Sequence, residues 1–126
     1  MNYNTRLQKA LEPIGLNLFP DVYDANIQHY DEKGKLLPKL SEWMTFNYVT
    51  ENPVLFADNE DVFTRTMLDV HCFTSDKSKI FKYKKQIKNC LRSAGFIINS
   101  VDQQYEHDTG LTHITVTISD EDYTEV

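Results

Sequence analysis

The feature that most constrains the fold is a strict alternation of polar and apolar residues over HITVTI, at positions 113–118 of the stretch LTHITVTI. The apolar members are β-branched and the polar members are histidine and threonine: Ile114, Val116 and Ile118 against His113, Thr115 and Thr117. Successive side chains of a strand point to opposite faces of its sheet, so this stretch predicts a strand with one buried and one polar face. A sheet that is covered on one side only is typical of antiparallel sheets.

Periodicity, caps and turn residues predict the remaining elements. In chain order they are a helix over 3–12 capped by Asn4 or Thr5, an extended segment over 16–19, strands over 43–50 and 62–74, a helix over 77–94 and a strand over 96–104. Ser75 or Asp76 is expected to cap the second helix, and Gly95 to end it. We expect Asn52-Pro53 to break the first long strand.

Other segments lack a regular period. Residues 20–42 form a polar excursion, which we expect to be a loop or a loose hairpin around the turn at 31–34. The acidic residues 120–126 are expected to fray. Val54, Leu55 and Phe56 lie between turn residues, and they belong either to a core strand or to an exposed contact patch.

The order of the elements predicts an α+β fold. We expect a mainly antiparallel sheet of about four to five strands, with two helices packed on one face. The 126 residues fit a single domain over 1–126. A hydrophobic fraction of 40% is enough for an ordinary core, which argues against a disordered chain.

Charge and hydropathy argue against several classes of protein. A net charge of −6 makes duplex nucleic acid a poor main partner, because phosphate contact needs a basic surface. No apolar run approaches the roughly 18–20 residues that span a bilayer, and the start MNYNTRLQKALEP lacks the apolar centre of a secretory signal. We therefore expect a protein made and kept in a cytoplasm, without a membrane partner. Cys72 and Cys90 form no CxxC pair, and we interpret both as small buried side chains.

The stretch YEHDTGLTH at 105–113 raises the question of a metal or acid–base site. It holds Glu106, His107, Asp108 and His113, and His71 is predicted on the same polar face as His113. A zinc site needs three or four converging ligands, and no HExxH or CxxC spacing is present. No GxSxG, P-loop or GxGxxG motif occurs either. We therefore expect no metal, no cofactor and no enzymatic activity, and interpret Asp108-Thr109-Gly110 as a hairpin turn.

The second helix is strongly basic. Residues 77–92 hold seven of the thirteen Lys and Arg of the chain, and no acid. This pattern leaves open a solvated face, a surface for an acidic partner and a nucleic-acid contact. In an acidic protein it also suits self-association, in which a basic side meets an acidic side of the next subunit. The predicted contacts join Lys82, Lys85, Lys88 and Arg92 to Asp58, Glu60 and Asp61.

Five motifs in a fixed order resemble a known family. They are Phe46-Asn47-Tyr48, Leu55–Glu60, Val70–Phe73, Ala94-Gly95-Phe96 and Tyr105–His113. In order and spacing, these motifs resemble those of the tail-completion or tail-terminator proteins of long-tailed, siphovirus-type phages. The resemblance covers about residues 43–118, with a looser match for the first helix.

The resemblance implies a structural virion protein of a phage or prophage. Members of this family are small α+β domains that form a ring, typically a hexamer. The ring caps the tail tube and docks on the head connector, and DNA passes through its lumen. The implied partners are other copies of the chain, the tail tube protein and the head-completion or connector protein. Two alternatives stay open: another connector or minor virion component, and a small nucleic-acid-binding or regulatory domain that uses residues 77–92.

For the histidines, the resemblance leaves the question whether His107 and His113 contact a neighbouring subunit. If His107 and His113 contact a neighbouring subunit, ring stability should change between about pH 5.5 and 7.5, where histidine gains or loses its charge.

Overall fold

The structure is a computed structural model, and it describes residues 2–24, 27–55 and 62–122. In chain order the elements are α1 (Tyr3–Leu11), β1 (Leu18–Pro20), β2 (Glu42–Leu55), β3 (Val62–Thr74), α2 (Ile80–Ser93), β4 (Ile97–Glu106) and β5 (Leu111–Asp122). A 3₁₀ turn follows α1 at Glu12–Ile14, and another precedes α2 at Lys77–Lys79.

The strands form one five-stranded sheet in the order β1-β2-β3-β5-β4. β1 runs parallel to β2, and the other neighbouring pairs are antiparallel. The predicted α+β fold, with a mainly antiparallel sheet and two helices, is confirmed. β3 and β5 are neighbours although α2 and β4 separate them in sequence, so the centre of the sheet is formed by long-range pairing.

The core lies between the two helices and one face of the sheet. On the sheet side it is built from alternate positions of three strands: Met44, Phe46, Leu68, Val70, Cys72, Ile114, Val116 and Ile118. The helices supply residues four apart along one stripe each: Tyr3, Leu7 and Leu11 from α1, and Tyr83, Ile87 and Leu91 from α2. Burial of one such aliphatic side chain contributes about 1.5–3 kcal/mol. A shift of β5 by one residue would expose all of its apolar side chains, so the alternation determines which face of the strand is buried.

Asp120 ties α1 to the end of β5. The Tyr3 hydroxyl donates to Asp120 Oδ2 at 2.7 Å, and Arg6 Nη1 donates to the same oxygen at 2.7 Å. Arg6 also donates to the Ala94 carbonyl, which connects α1 to the end of α2. Burial and the contact with Asp120 raise the pKa of Tyr3 to about 12, so the phenol remains a donor.

The C-terminal segment differs from the sequence expectation. Fraying was expected over 120–126, but Asp120–Asp122 pair with β3 at Thr64–Thr66 and belong to β5. The buried ion pair explains this, because it holds the end of the strand against α1. Residues 123–126 lie outside the described residues.

Glu42 ties the start of α2 to the sheet. Thr74 Oγ1 donates to Glu42 Oε2 at 2.5 Å, the Tyr83 hydroxyl donates to Oε1 at 2.9 Å, and Lys79 Nζ lies 3.2 Å from Oε1. Burial alone would raise the pKa of Glu42, but the hydrogen bonds from Thr74, Tyr83 and Lys79 outweigh it and hold the pKa below its ordinary value.

The residues that cap the helices agree only in part with those predicted from the sequence. The cap of α1 is Asn2, whose Oδ1 accepts from Thr5 N at 3.1 Å; the prediction of Asn4 or Thr5 is therefore wrong. Asn2 takes this role because its backbone is extended while the following residues are helical. Asp76 caps the turn before α2, as predicted, by accepting from Ser78 N. Gly95 ends α2 at φ 92, a conformation that favours glycine.

The predicted break at Asn52-Pro53 is wrong. β2 continues to Leu55, with a register shift between Tyr48 and Thr50, and Pro53 pairs with Thr64. Among the described residues β1 pairs with β2 only as far as Phe46, so the second half of β2 is an edge. A proline is tolerated at an edge, where its missing N–H is not needed. Of the apolar segment 54–56, Val54 and Leu55 end the strand, and residue 56 lies outside the described residues.

Candidate functional site

The face of the sheet opposite the helices carries the polar side chains that the alternation predicted. Thr45 and Asn47 of β2, His71 of β3 and Thr115 of β5 lie on it, and Thr45, His71 and Thr115 are cross-strand partners. His113 lies one pair further along β5, opposite Phe73. The pairing of β3 with β5 therefore brings His71 and His113 together on this face.

The two histidines form a hydrogen-bonded chain with Asn47. His71 Nδ1 lies 2.7 Å from His113 Nε2, and His71 Nε2 lies 2.6 Å from Asn47 Oδ1. Donation from His113 Nε2–H to His71 Nδ1, and from His71 Nε2–H to Asn47 Oδ1, satisfies these contacts with both rings neutral. The Thr115 hydroxyl lies 3.3 and 3.2 Å from the same two histidine nitrogens.

The surroundings of this pair favour its uncharged form. Burial lowers the pKa of His71, and the neighbouring His113 lowers it further, while Asp69 opposes the shift. Burial also lowers the pKa of His113, against the attraction of Glu106 and Asp69. A second proton on the pair would place two positive rings in direct contact, so the neutral state suits this geometry.

Aromatic rings extend the cluster to the edge of the sheet. Phe73 stacks on His113 with ring centroids 4.3 Å apart, and Trp43 stacks on Phe73 at 5.2 Å. Tyr23, from the excursion, packs against Trp43 at 5.0 Å and against His29 at 4.4 Å. We call Tyr23, Trp43, Phe73 and His113 the aromatic ladder.

The aromatic ladder anchors the excursion over the open face of the sheet. Further out, Tyr30 and Leu36 make one antiparallel bridge, so the segment contains the loose hairpin that the sequence suggested. Asp31 Oδ1 accepts from the amides of Lys33 and Lys35 in the turn between them. The role of Tyr23 was not predictable from the sequence, because the segment has no period and the only signal is an aromatic residue in a polar stretch.

A groove of about 710 Å³ opens beside the aromatic ladder. It lies at the end of the sheet where β2 and β5 begin, between the excursion and the β4–β5 turn. Tyr23, Trp43 and Phe73 supply aromatic surface. The charged residues of its lining are Asp24, Glu106, Asp108 and Lys39, so acids outnumber bases.

The predicted subunit-contact residues fall into three groups. On α2, Lys82, Lys85 and Arg92 are exposed and Lys88 is half-buried. None of these four makes an ion pair within the described residues. His113 is half-buried and bonded within its own subunit. Asp58, Glu60 and Asp61 lie outside the described residues.

His107, the other histidine of the stretch 105–113, is separate from the pair of His71 and His113. His107 is exposed in the turn before β5, with its ring edge-on to Tyr105 at 4.9 Å. The turn at 107–110 joins β4 and β5, and Gly110 has φ 73, so the hairpin interpretation of Asp108-Thr109-Gly110 is confirmed. Within residues 2–24, 27–55 and 62–122, no group of three or more His, Cys, Asp or Glu is placed to hold a metal ion.

The two cysteines resemble core residues. Cys72 is fully buried on β3, and Cys90 is half-buried on α2. Burial raises the pKa of Cys72 to about 12 and also raises that of Cys90, so neither thiol ionises readily at neutral pH. No helix in the described part of the chain is long and apolar enough to cross a bilayer.

Comparison with known proteins gives a structural neighbour. No protein-family model matches the sequence, and no curated protein matches it. Among solved structures, the chain is similar to a protein in the virion of a native gene transfer agent (GTA) particle. The TM-score is 0.57 at 9% sequence identity, and the match covers 96% of this chain and 91% of that chain. The two chains share a fold over nearly their whole lengths.

Proposed function

We propose that this protein is a structural component of a phage-type virion that assembles into a closed ring. In the specific form of the proposal the ring is hexameric, caps the tail tube and presents the surface that docks on the head connector. The observation that carries the proposal is the fold shared over nearly the whole chain with a virion protein of a gene transfer agent. The resemblance of residues 43–118 to tail-terminator proteins supports the finer assignment.

The charge distribution supports a repeating contact between copies. The outer face of α2 is basic, while the chain as a whole has a net charge of −6. A basic face that meets an acidic surface of the next copy forms a head-to-tail contact, and such contacts close into rings when the rotation permits. Asp58, Glu60 and Asp61 are the acidic partners that we propose from the sequence for Lys82, Lys85, Lys88 and Arg92.

The remaining partners follow from the position of such a ring. One side contacts the tail tube protein, and the other contacts the head-completion or connector protein. DNA passes through the lumen, and an acidic lumen lets it slide because like charges oppose binding. This role requires no catalytic group and no cofactor.

Mass and shape in solution test the proposal. Sedimentation velocity over a range of protein concentrations should give a discrete closed oligomer, and electron microscopy of that fraction should show rings with a central hole. Addition of purified tails that lack a terminator should place the rings at the tube end. A chain that stays monomeric at high concentration contradicts the proposal.

The seven basic residues in 77–92 favour a second candidate, a nucleic-acid-binding domain. This candidate predicts a monomer or dimer whose DNA affinity falls steeply with salt, because bound phosphates release counterions. Ring formation together with weak DNA binding at about 150 mM salt decides against it.

A further inference from the structure

The outer face of α2 has an apolar member that charge pairing does not explain. Phe81 is 79% exposed, the largest exposure among the large hydrophobic residues of the described chain. Phe81, Lys85, Lys88 and Arg92 follow one another at helical spacing, so they share one stripe. We call these four residues the α2 stripe. Aromatic residues and arginine are enriched at protein–protein interfaces relative to the rest of the surface.

The groove beside the aromatic ladder has complementary chemistry. Its wall is aromatic, through Tyr23, Trp43 and Phe73, and Glu106 and Asp108 stand on the β4–β5 turn at its edge. An aromatic ring that enters it gains ring contacts at the edge-to-face or offset distances that such pairs prefer. Lysines beside that ring then meet the carboxylates at the rim. We infer that the groove of one copy receives Phe81 and the start of the α2 stripe of the next copy.

The placement of the two surfaces makes the contact intermolecular. α2 packs on the core face of the sheet and turns its stripe outward, whereas the aromatic ladder lies on the opposite face and the groove opens beside it at the end of the sheet. A subunit therefore presents the stripe and the groove on different sides. This is the arrangement of a head-to-tail interface. A pair of copies joined in this way still has one free stripe and one free groove, so further copies can add until the ring closes.

The groove and the acidic residues 58–61 are alternative acceptors for the same helix. Phe81 distinguishes between them, because the groove has an aromatic wall whereas the run Asp58-Asn59-Glu60-Asp61 contains only polar side chains. The exposed Phe81 therefore favours the groove.

Two sets of variants test this inference, which rests on the proposed ring. Phe81→Gln removes the ring from the stripe, and the pair Glu106→Lys with Asp108→Lys reverses the rim of the groove. Each should raise the concentration for half-assembly about tenfold or more, since an aromatic anchor contributes on that scale. Tyr30→Gln controls for the loss of another exposed aromatic ring. Glu12→Lys with Glu32→Lys controls for the same change of net charge at exposed sites away from the groove.

Mixing the two defective proteins gives a sharper readout. Phe81→Gln retains an intact groove, and the rim variant retains an intact stripe, so one chain of each forms a single native contact. Their mixture should give heterodimers in sedimentation velocity and no rings. Far-ultraviolet circular dichroism of each variant verifies that the subunit is folded.

The outcomes separate this inference from the proposed function. Wild-type rings together with normal assembly of Phe81→Gln or of the rim variant overturn the groove contact and leave the ring intact. Loss of assembly on reversal of Asp58, Glu60 and Asp61, with no effect at the groove, assigns the acceptor to the turn and overturns the inference as well. Wild-type protein that never assembles overturns both.

Discussion

At the scale of single residues, Asp120 makes a polar contact that links the end of β5 to α1. One carboxylate oxygen accepts from Tyr3 and Arg6, whose side chains come from the first turns of α1. The side chains of Arg6 and Asp120 are 24% and 10% exposed, so the pair is partly desolvated. Removal of the carboxylate takes away the acceptor that the Tyr3 hydroxyl and the partly buried Arg6 share, which costs more than an exposed ion pair contributes.

We therefore expect Asp120→Ala, which removes the acceptor, to lower the free energy of unfolding by about 2–4 kcal/mol. Urea denaturation, followed by circular dichroism, measures this change. Asp102→Ala, at an exposed position of strand β4, is the matched control and should cost less than about 0.5 kcal/mol. Equal effects of the two substitutions would mean that the link to α1 contributes nothing.

The histidine pair predicts a dependence of stability on pH. Burial holds the pKa of His71 and of His113 below the ordinary value of 6.5. The unfolded chain therefore binds more protons than the folded chain below about pH 7, and the free energy of unfolding falls as the pH falls from about 7.5 to 5.5. Above about pH 7.5 both states are neutral at these positions, and the contribution no longer changes.

Urea denaturation at intervals across that pH range checks this prediction. His113→Gln keeps a donor toward His71 but removes one titrating ring, so its pH dependence should be shallower. His107→Gln, at the exposed turn, should retain the wild-type slope. A slope that His113→Gln leaves unchanged would falsify the role of the buried pair.

At the scale of elements, Tyr23 decides where the excursion lies. Its ring contacts Phe19, His29 and Trp43, with centroids 4.7, 4.4 and 5.0 Å away. We expect Tyr23→Ala to release the excursion and to expose Trp43, the only tryptophan of the chain. The emission maximum of Trp43 should shift to longer wavelength, and amide exchange should accelerate over 27–41 while α1 and α2 keep their protection.

Tyr30→Ala is the control for this prediction, because Tyr30 is 56% exposed and lies outside the ladder. It should leave the emission of Trp43 unchanged. Unaltered amide exchange over 27–41 in Tyr23→Ala would show that other contacts hold the excursion in place.

The same scale shows what sequence could predict and what it could not. The strands β3 and β5 and the helix α2 were predictable because a period of two or of 3.6 residues directly encodes which side chains are buried. His71 and His113 were predictable as members of one polar face. The contact between the two histidines was not predictable. It depends on β3 pairing with β5, and these two strands are far apart in the sequence.

Two further features depended on non-local structure. A proline disrupts a central strand more than an edge strand, and within the described part of the chain this part of β2 is an edge because β1 is short. The aromatic ladder joins an irregular segment to the sheet, and the path of such a segment follows no period. Both lie outside what local pattern can specify.

At the scale of the whole molecule, the distribution of charge matters more than its sum. We expect Lys85→Glu with Lys88→Glu to weaken ring assembly without unfolding the subunit, because Lys85 is exposed and the half-buried Lys88 lies outside the core stripe of α2. Sedimentation velocity should show at least about a fivefold rise in the concentration for half-assembly, and the difference should shrink at high salt.

Lys33→Glu with Lys35→Glu is the matched control for this prediction. It changes the net charge equally, at the exposed turn of the excursion. If both pairs of substitutions weaken assembly to the same extent, general repulsion between acidic subunits is the cause, and the location of the basic face is irrelevant.

Pro53 has a consequence beyond the strand that contains it. Among residues 2–24, 27–55 and 62–122, nothing pairs with the outer side of β2 after Phe46, and an unpaired edge invites the backbone of another molecule to add as a further strand. Proline has no amide hydrogen to offer to an added strand, and the register shift between Tyr48 and Thr50 makes this edge less regular. These two features disfavour strand-by-strand growth into fibres from this edge of the sheet.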